Sequence, residues 1–235
     1  MSGSVSVMVP RQILSRVFHI REAMEGTGFS IEVNGSQYIV TAKHIVANLV
    51  IGGSVGFEDE TGWLETEVTS VWHHPDPTVD VAVFTLPDAI GILGAVELGG
   101  TLPVVGEPVY LAGFPYGMTT VGPEGPLPLV KHGILSGFEP KSDLPYRMMI
   151  FDAISNPGFS GGPIVFQRGA DWAIAAIATS GMAESREIQA LEHGEGAPST
   201  APFVHVYAGF MFGVPIRYAE DGVAKLGFGP PAVSG

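Results

Sequence analysis

Asn156-Pro157-Gly158-Phe159-Ser160-Gly161-Gly162-Pro163-Ile164-Val165 sets a serine among glycines just ahead of an apolar run. A nucleophilic serine needs a hydroxyl projecting from a tight turn, its own N–H aimed at a developing oxyanion, and a second backbone N–H beside it. Gly158, two residues before the serine, permits the unusual backbone that aims such an N–H inward. Gly161 and Gly162 keep side chains out of a cleft and let a strand begin. Taken alone, the same turn is also what a tight loop with no chemistry looks like.

Two further segments supply what such a serine requires. In Thr41-Ala42-Lys43-His44-Ile45-Val46 a histidine stands where the chain leaves a strand. A lone histidine there is ordinarily structural. In His74-Pro75-Asp76-Pro77-Thr78-Val79-Asp80-Val81-Ala82-Val83, Asp80 opens an apolar run, whereas Asp76 sits inside a Pro-bounded turn. Asp80 is therefore the better candidate. His44, Asp80 and Ser160 follow one another in the order of one known arrangement of the acyl-transfer triad.

The remainder of the chain reads as β. Gly28-Phe29-Ser30-Ile31-Glu32-Val33 alternates, Asn34-Gly35 is a strong hairpin signal, and Gln37-Tyr38-Ile39-Val40-Thr41 returns as a strand. Further strands are predicted over residues 53–57, 63–73, 79–86, 108–113, 130–138, 147–151, 162–166, 171–179 and 208–215. Nearly all are separated by turns, and 32 glycines and 19 prolines among 235 residues favour this all-β reading over a helix bundle. Ile13 to Phe18 fits a short helix or an edge strand. Residues 184–202 are polar and read as a surface loop, with one helical turn near 185–192. Residues 226–235 read as a frayed tail.

Composition excludes several classes of function. The chain has no cysteine, which removes disulfides, thiolate metal sites and a cysteine nucleophile. Its net charge is −13 with scattered basic residues, so phosphate-driven nucleic-acid binding is not expected. No apolar stretch is long enough for a membrane span. His73, His74, His132, His193 and His205 form no metal-ligand spacing with carboxylates, so no metal and no cofactor are expected. The missing export signal and missing cysteines lean towards the cytoplasm.

The serine segment, the histidine segment and the aspartate segment together resemble the motifs of the trypsin superfamily of serine proteases. Asp152-Ala153-Ile154-Ser155-Asn156-Pro157 resembles its disulfide-free HtrA-type branch, as do Leu111-Ala112-Gly113-Phe114-Pro115-Tyr116-Gly117 and Val130-Lys131-His132-Gly133-Ile134-Leu135-Ser136-Gly137. The resemblance spans roughly residues 26–217. It implies two six-stranded antiparallel β-barrels with an active site between them. An N-terminal extension would cover 1–22, a first barrel 23–98, a second barrel 99–218 with the 184–202 insertion, and a tail 219–235. It implies His44, Asp80 and Ser160 as triad, and the N–H groups of Gly158 and Ser160 as oxyanion hole. Ile154 would lie at the base of the primary pocket, favouring small or medium aliphatic residues at the cleaved position. Thr179 would support the aspartate or simply end a strand, and Ser180 and Gly181 would bind an extended polypeptide substrate.

Departures from that pattern carry meaning too. Phe159 stands where secreted trypsins place an aspartate that pairs with a newly cut N-terminus, so activation by that pairing is excluded. No PDZ domain, common in HtrA proteases, is expected after the second barrel. Homo-oligomerisation is compatible with the resemblance. A competing reading is a catalytically silent barrel that binds proteins, since fold does not fix function; esterase chemistry by the same triad is a third.

Overall fold

A computed structural model describes residues 9–91, 96–98, 100, 102–122, 125–140, 143–187, 203–227 and 229–231. A one-turn helix α1 (Arg11–Leu14) leads into β1 (Val17–Arg21), β2 (Glu25–Val33), β3 (Ser36–Thr41), β4 (Ser54–Asp59), β5 (Gly62–Glu67), β6 (Ser70–His73) and β7 (Ala82–Thr85). These seven form one curled sheet in the order β5-β4-β1-β2-β3-β7-β6. The Asn34-Gly35 turn joins β2 to β3 with φ of 51° and 76° at its two central residues. Two successive positive φ values are what a two-residue hairpin matched to strand twist demands.

The second half contains β8 (Glu97–Leu98), β9 (Pro108–Gly113), β10 (Thr120–Gly122), β11 (Gly125–Leu127), β12 (Leu129–Phe138), β13 (Met149–Asp152), β14 (Pro163–Arg168), β15 (Asp171–Glu187) and β16 (Phe203–Pro215). Here β14-β9-β12-β13-β16-β15 is closed by a β14–β15 ladder into a six-stranded barrel, with β8 added in parallel to β15. A helix α2 (Arg217–Leu226) ends the second half and packs on β6 and β7 of the first. The double-barrel architecture implied by the sequence is present. Its first half is a curled sheet of seven strands, with no ladder joining β5 to β6 among the described residues.

Strand alternation explains where the cores lie. Along β3, Ile39 points into the first barrel, while Tyr38 and Val40 point towards the second. Along β7, Ala82 and Phe84 point in and Val83 points out; along β14, Ile164 and Phe166 point in and Val165 points out. Successive side chains of a strand must face opposite sides. Both faces of these strands are therefore apolar, and a third core fills the space between barrels. Each fully buried Val, Ile or Phe contributes about 1.5–3 kcal/mol. The seam between the halves is thus a buried apolar core in its own right.

Four expectations are corrected. β1 is an interior strand between β4 and β2, so the first sheet begins at Val17 and not after residue 22. Residues 184–187 are not loop and 185–187 not helical: β15 runs to Glu187 and pairs Glu187 with Phe203, since one strand pair simply continues outward. Residues 188–202 lie outside the described residues, as does His193. The segment 219–226 is helix and not tail. Residues 229–231 are docked on the first sheet, where the Gln37 N–H donates to the Pro230 carbonyl at 2.9 Å and Ser36 bridges Pro231.

Candidate active site

His44 stands in a 3-10 turn over Lys43–Val46, directly after β3. Asp80 lies two residues ahead of β7, flanked by the buried Val79 and Val81. The β3–β7 ladder pairs Thr41 with Ala82, so the two exits meet at one end of the sheet. His44 Nδ1 donates to Asp80 Oδ2 at 2.6 Å, and the His44 backbone N–H donates to Asp80 Oδ1 at 3.0 Å. Both carboxylate oxygens are thereby committed to one residue. The bond on Nδ1 leaves Nε2 on the far side of the ring, facing away from the aspartate. Burial on its own would raise the Asp80 pKa, but the two hydrogen bonds and the charge of His44 outweigh it and hold the carboxyl below its ordinary value.

Lys43, next to His44 in the chain, braces the neighbouring turn. Its Nζ donates to the carbonyls of His74 and Asp76 at 3.2 and 3.0 Å, pinning the turn that delivers Asp80.

Ser160 leaves a turn built on glycine. Gly158 has φ +100° and Gly161 φ +85°. A Cβ on Gly158 would stand 2.3 Å from the Phe114 carbonyl oxygen, and one on Gly161 1.9 Å from that of Thr27. Only glycine satisfies both the dihedral and the space. Phe159 is fully buried in the second barrel, which anchors the turn from below. Neither the Gly158 nor the Ser160 N–H has a protein acceptor among the described residues. A trans peptide points its C=O and N–H in opposite directions. Tyr116 N–H holds the Pro157 carbonyl at 2.8 Å, so the Gly158 N–H faces away from Tyr116; Gly162 N–H holds the Phe159 carbonyl at 2.9 Å, with the same effect on the Ser160 N–H.

Thr27 couples this turn to the first sheet. Its N–H donates to the Ser160 carbonyl at 2.9 Å, and its Oγ1 donates to the Gly158 carbonyl at 2.6 Å while accepting from the Phe114 N–H at 3.1 Å. Nothing in the sequence marks this threonine beyond its place at the opening of β2.

The remaining candidates divide. Ser160 Oγ donates to the Thr179 carbonyl at 2.7 Å, and no hydrogen bond joins it to His44 among the described residues. Thr179 is buried, and its hydroxyl donates to the Phe212 carbonyl at 3.2 Å, not to Asp80. Thr179 lies inside β15, which continues to Glu187, so it does not end a strand. Gly181 pairs with Met211 in the β15–β16 ladder, where Ser180 precedes it. Ile154 is 52% exposed, and its carbonyl accepts from Lys131 Nζ at 2.9 Å. No group of three His, Cys, Asp or Glu that would suit a metal occurs among the described residues. An apolar cavity of about 550 Å³, lined by Leu14, Phe18, Phe57, Leu64, Ile90 and Leu127 among others, lies apart from all of these groups.

No helix among the described residues is long and apolar enough to cross a membrane. Comparison with curated protein sequences yields no match. Among solved structures, the Rv3671c protease of M. tuberculosis in an inactive form is similar at a TM-score of 0.58 and 19% identity, over 91% of this chain and 89% of that one. The HtrA-type protease AlgW with a tripeptide is similar at 0.56 and 21% identity, over 89% of this chain and 59% of that one. The MamO protease domain from Magnetospirillum magneticum, apo form, is similar at 0.55 and 16% identity, over 91% and 98%. At such identities these neighbours establish the double-barrel fold. A family model for the trypsin-like peptidase domain matches residues 26–175, more than half of the 235-residue chain. The chain belongs to the trypsin-like peptidase family and is a serine endopeptidase.

Proposed function

We propose that His44, Asp80 and Ser160 are the catalytic triad of this peptidase, with the N–H groups of Gly158 and Ser160 as its oxyanion hole. The observation that carries the reading is the His44 Nδ1–Asp80 Oδ2 hydrogen bond of 2.6 Å. It fixes the imidazole tautomer so that Nε2 can accept the serine proton. Ser160 Oγ turns from the Thr179 carbonyl towards Nε2, attacks the scissile carbonyl, and forms an acyl-enzyme as His44 passes the proton to the leaving amine. Water then repeats the sequence to release the acid. Asp80 stays ionised throughout and stabilises the imidazolium. Each oxyanion donor contributes about 3–4 kcal/mol to the transition state.

Cleavage after small or medium aliphatic residues is supported by the chemistry of the 154–158 loop. Ile154 offers no carboxylate to a basic side chain, and the Lys131 ammonium at this loop repels Arg or Lys. Reaction with a fluorophosphonate probe tests the triad: labelling of the native chain that disappears in Ser160→Ala supports it, and an unlabelled native chain supports the silent binding module instead. A peptide library then reads the residue preceding the cut; cutting after Arg or Lys overturns the aliphatic assignment.

A further inference from the structure

The direction of the Gly158 N–H depends on a loop of residues that would not hold it unaided. Ile154-Ser155-Asn156-Pro157-Gly158-Phe159 has no internal ladder. Its one internal backbone bond is a turn from the Phe159 N–H to the Asn156 carbonyl at 3.1 Å. What holds the outer side of this loop is a side chain of β12.

Lys131 Nζ donates to the Ile154 carbonyl at 2.9 Å and to Asn156 Oδ1, and it lies 5.0 Å from the centroid of the Phe159 ring. An ammonium has three protons and no acceptor, and two of them here go to one loop, at residues two apart in the chain. The ring face adds attraction for the cation. With Oδ1 turned to the lysine, the Asn156 amide presents Nδ2 to the Tyr116 hydroxyl at 3.2 Å. Tyr116 in turn grips the loop through its backbone, by the bond to the Pro157 carbonyl that directs the Gly158 N–H. Tyr116 does so in a left-handed conformation, φ 55° and ψ 28°. A non-glycine residue persists there only when its surroundings impose it.

Partial burial depresses the Lys131 pKa, so the charge is kept at this place against its own desolvation. A methionine or leucine would fill the same position on the strand without that cost.

We infer that Lys131 is a positioning residue: its ammonium locks the 154–159 loop, through Asn156 and Tyr116, in the conformation that presents the Gly158 N–H to the substrate. The inference rests on the triad and oxyanion reading above. It differs from a role in folding because β12 is held by its ladders to β9 and β13, which do not involve the Lys131 side chain.

The test compares native chain, K131M, K131R and N156A by fluorophosphonate labelling rate, by turnover of fluorogenic casein and by thermal unfolding. Loss of the clamp displaces one oxyanion donor, and misplacement on this scale costs about a hundredfold in rate. K131M is expected to lose about that in kcat and in labelling rate, with KM and Tm nearly unchanged. K131R, which reaches the same carbonyl oxygens, should recover part of the rate. N156A, which leaves the lysine and its strand intact, should lose kcat to an intermediate degree and keeps the question answerable if K131M does not fold. A native chain that fails to label overturns the triad reading and this inference with it. A labelled native chain with K131M or N156A equally fast, or slowed only in proportion to lost folded protein, overturns this inference alone.

Discussion

Ser160 Oγ is hydrogen-bonded to the backbone carbonyl of Thr179 at 2.7 Å. A peptide carbonyl accepts that proton's hydrogen bond but takes no proton, so the serine must turn about its χ1 bond before it can react. The bond it gives up is a neutral one, worth about 1 kcal/mol net. A structure of the phosphonate adduct should therefore show Oγ displaced from Thr179, with β15 unmoved. Ser160→Ala should unfold at nearly the native temperature while kcat falls by on the order of 10⁶. Substantial turnover by that variant would mean that another nucleophile operates.

Asp80→Asn keeps the shape of the pair but loses the charge and presents an NH₂ group where Nδ1–H needs an acceptor. The tautomer that leaves Nε2 free is then disfavoured, and kcat should drop by about 10⁴. The same carboxyl makes stability depend on pH. Its folded pKa lies below the ordinary 3.8, so its contribution is complete above that value and is lost as pH falls through the depressed folded one. Urea unfolding across acidic pH should show native and Asp80→Asn stabilities converging below pH 3.8. A constant gap would mean the carboxylate is not held by His44 in solution.

Gly161→Ala forces a side chain into a left-handed position 1.9 Å from the Thr27 carbonyl oxygen. The dihedral alone costs on the order of 1–3 kcal/mol, and the contact adds to it. Thermal unfolding should fall by about 5–10 °C. Gly158→Ala meets the Phe114 carbonyl at 2.3 Å in an outer turn. Its loss of labelling rate should exceed anything its change in Tm explains.

Thr27→Val leaves the Gly158 carbonyl and the Phe114 N–H without the partner they share, at a cost of about 1–3 kcal/mol by denaturant titration. Because the freed carbonyl belongs to the loop that carries the oxyanion N–H, turnover should fall as well. Thr27→Ser retains the hydroxyl and should restore both. A Thr27→Val chain as active as the native one would detach the first sheet from loop positioning.

The candidate triad residues were legible because each has a distinctive neighbour: glycine around Ser160, a strand end before His44, an apolar run after Asp80. The Asn34-Gly35 hairpin and β9 were legible for the same reason, since turn chemistry is local. Helix α2 was not, because a ten-residue segment holding Gly222 has little intrinsic preference and forms by packing on Trp72 and Val83. β1 was ambiguous for want of turn residues ahead of it. Thr27, Lys43 and Lys131 were invisible as functional residues. Their partners lie tens of residues away in the chain, and nothing in the local sequence announces such a contact. The rotamer of Ser160 is likewise a tertiary outcome.

The route of the chain after β16 has a consequence for how this enzyme can be controlled. This segment runs from the half bearing Ser160 to the half bearing His44, lays Gly222 against Trp72 and Val83, and passes under the Tyr38 hydroxyl and the Ser36–Gln37 edge. Tyr218, at its start, also clasps Tyr146 through N–H and carbonyl bonds at 3.2 and 2.8 Å. Prising the two halves apart as rigid bodies would mean peeling off this belt first.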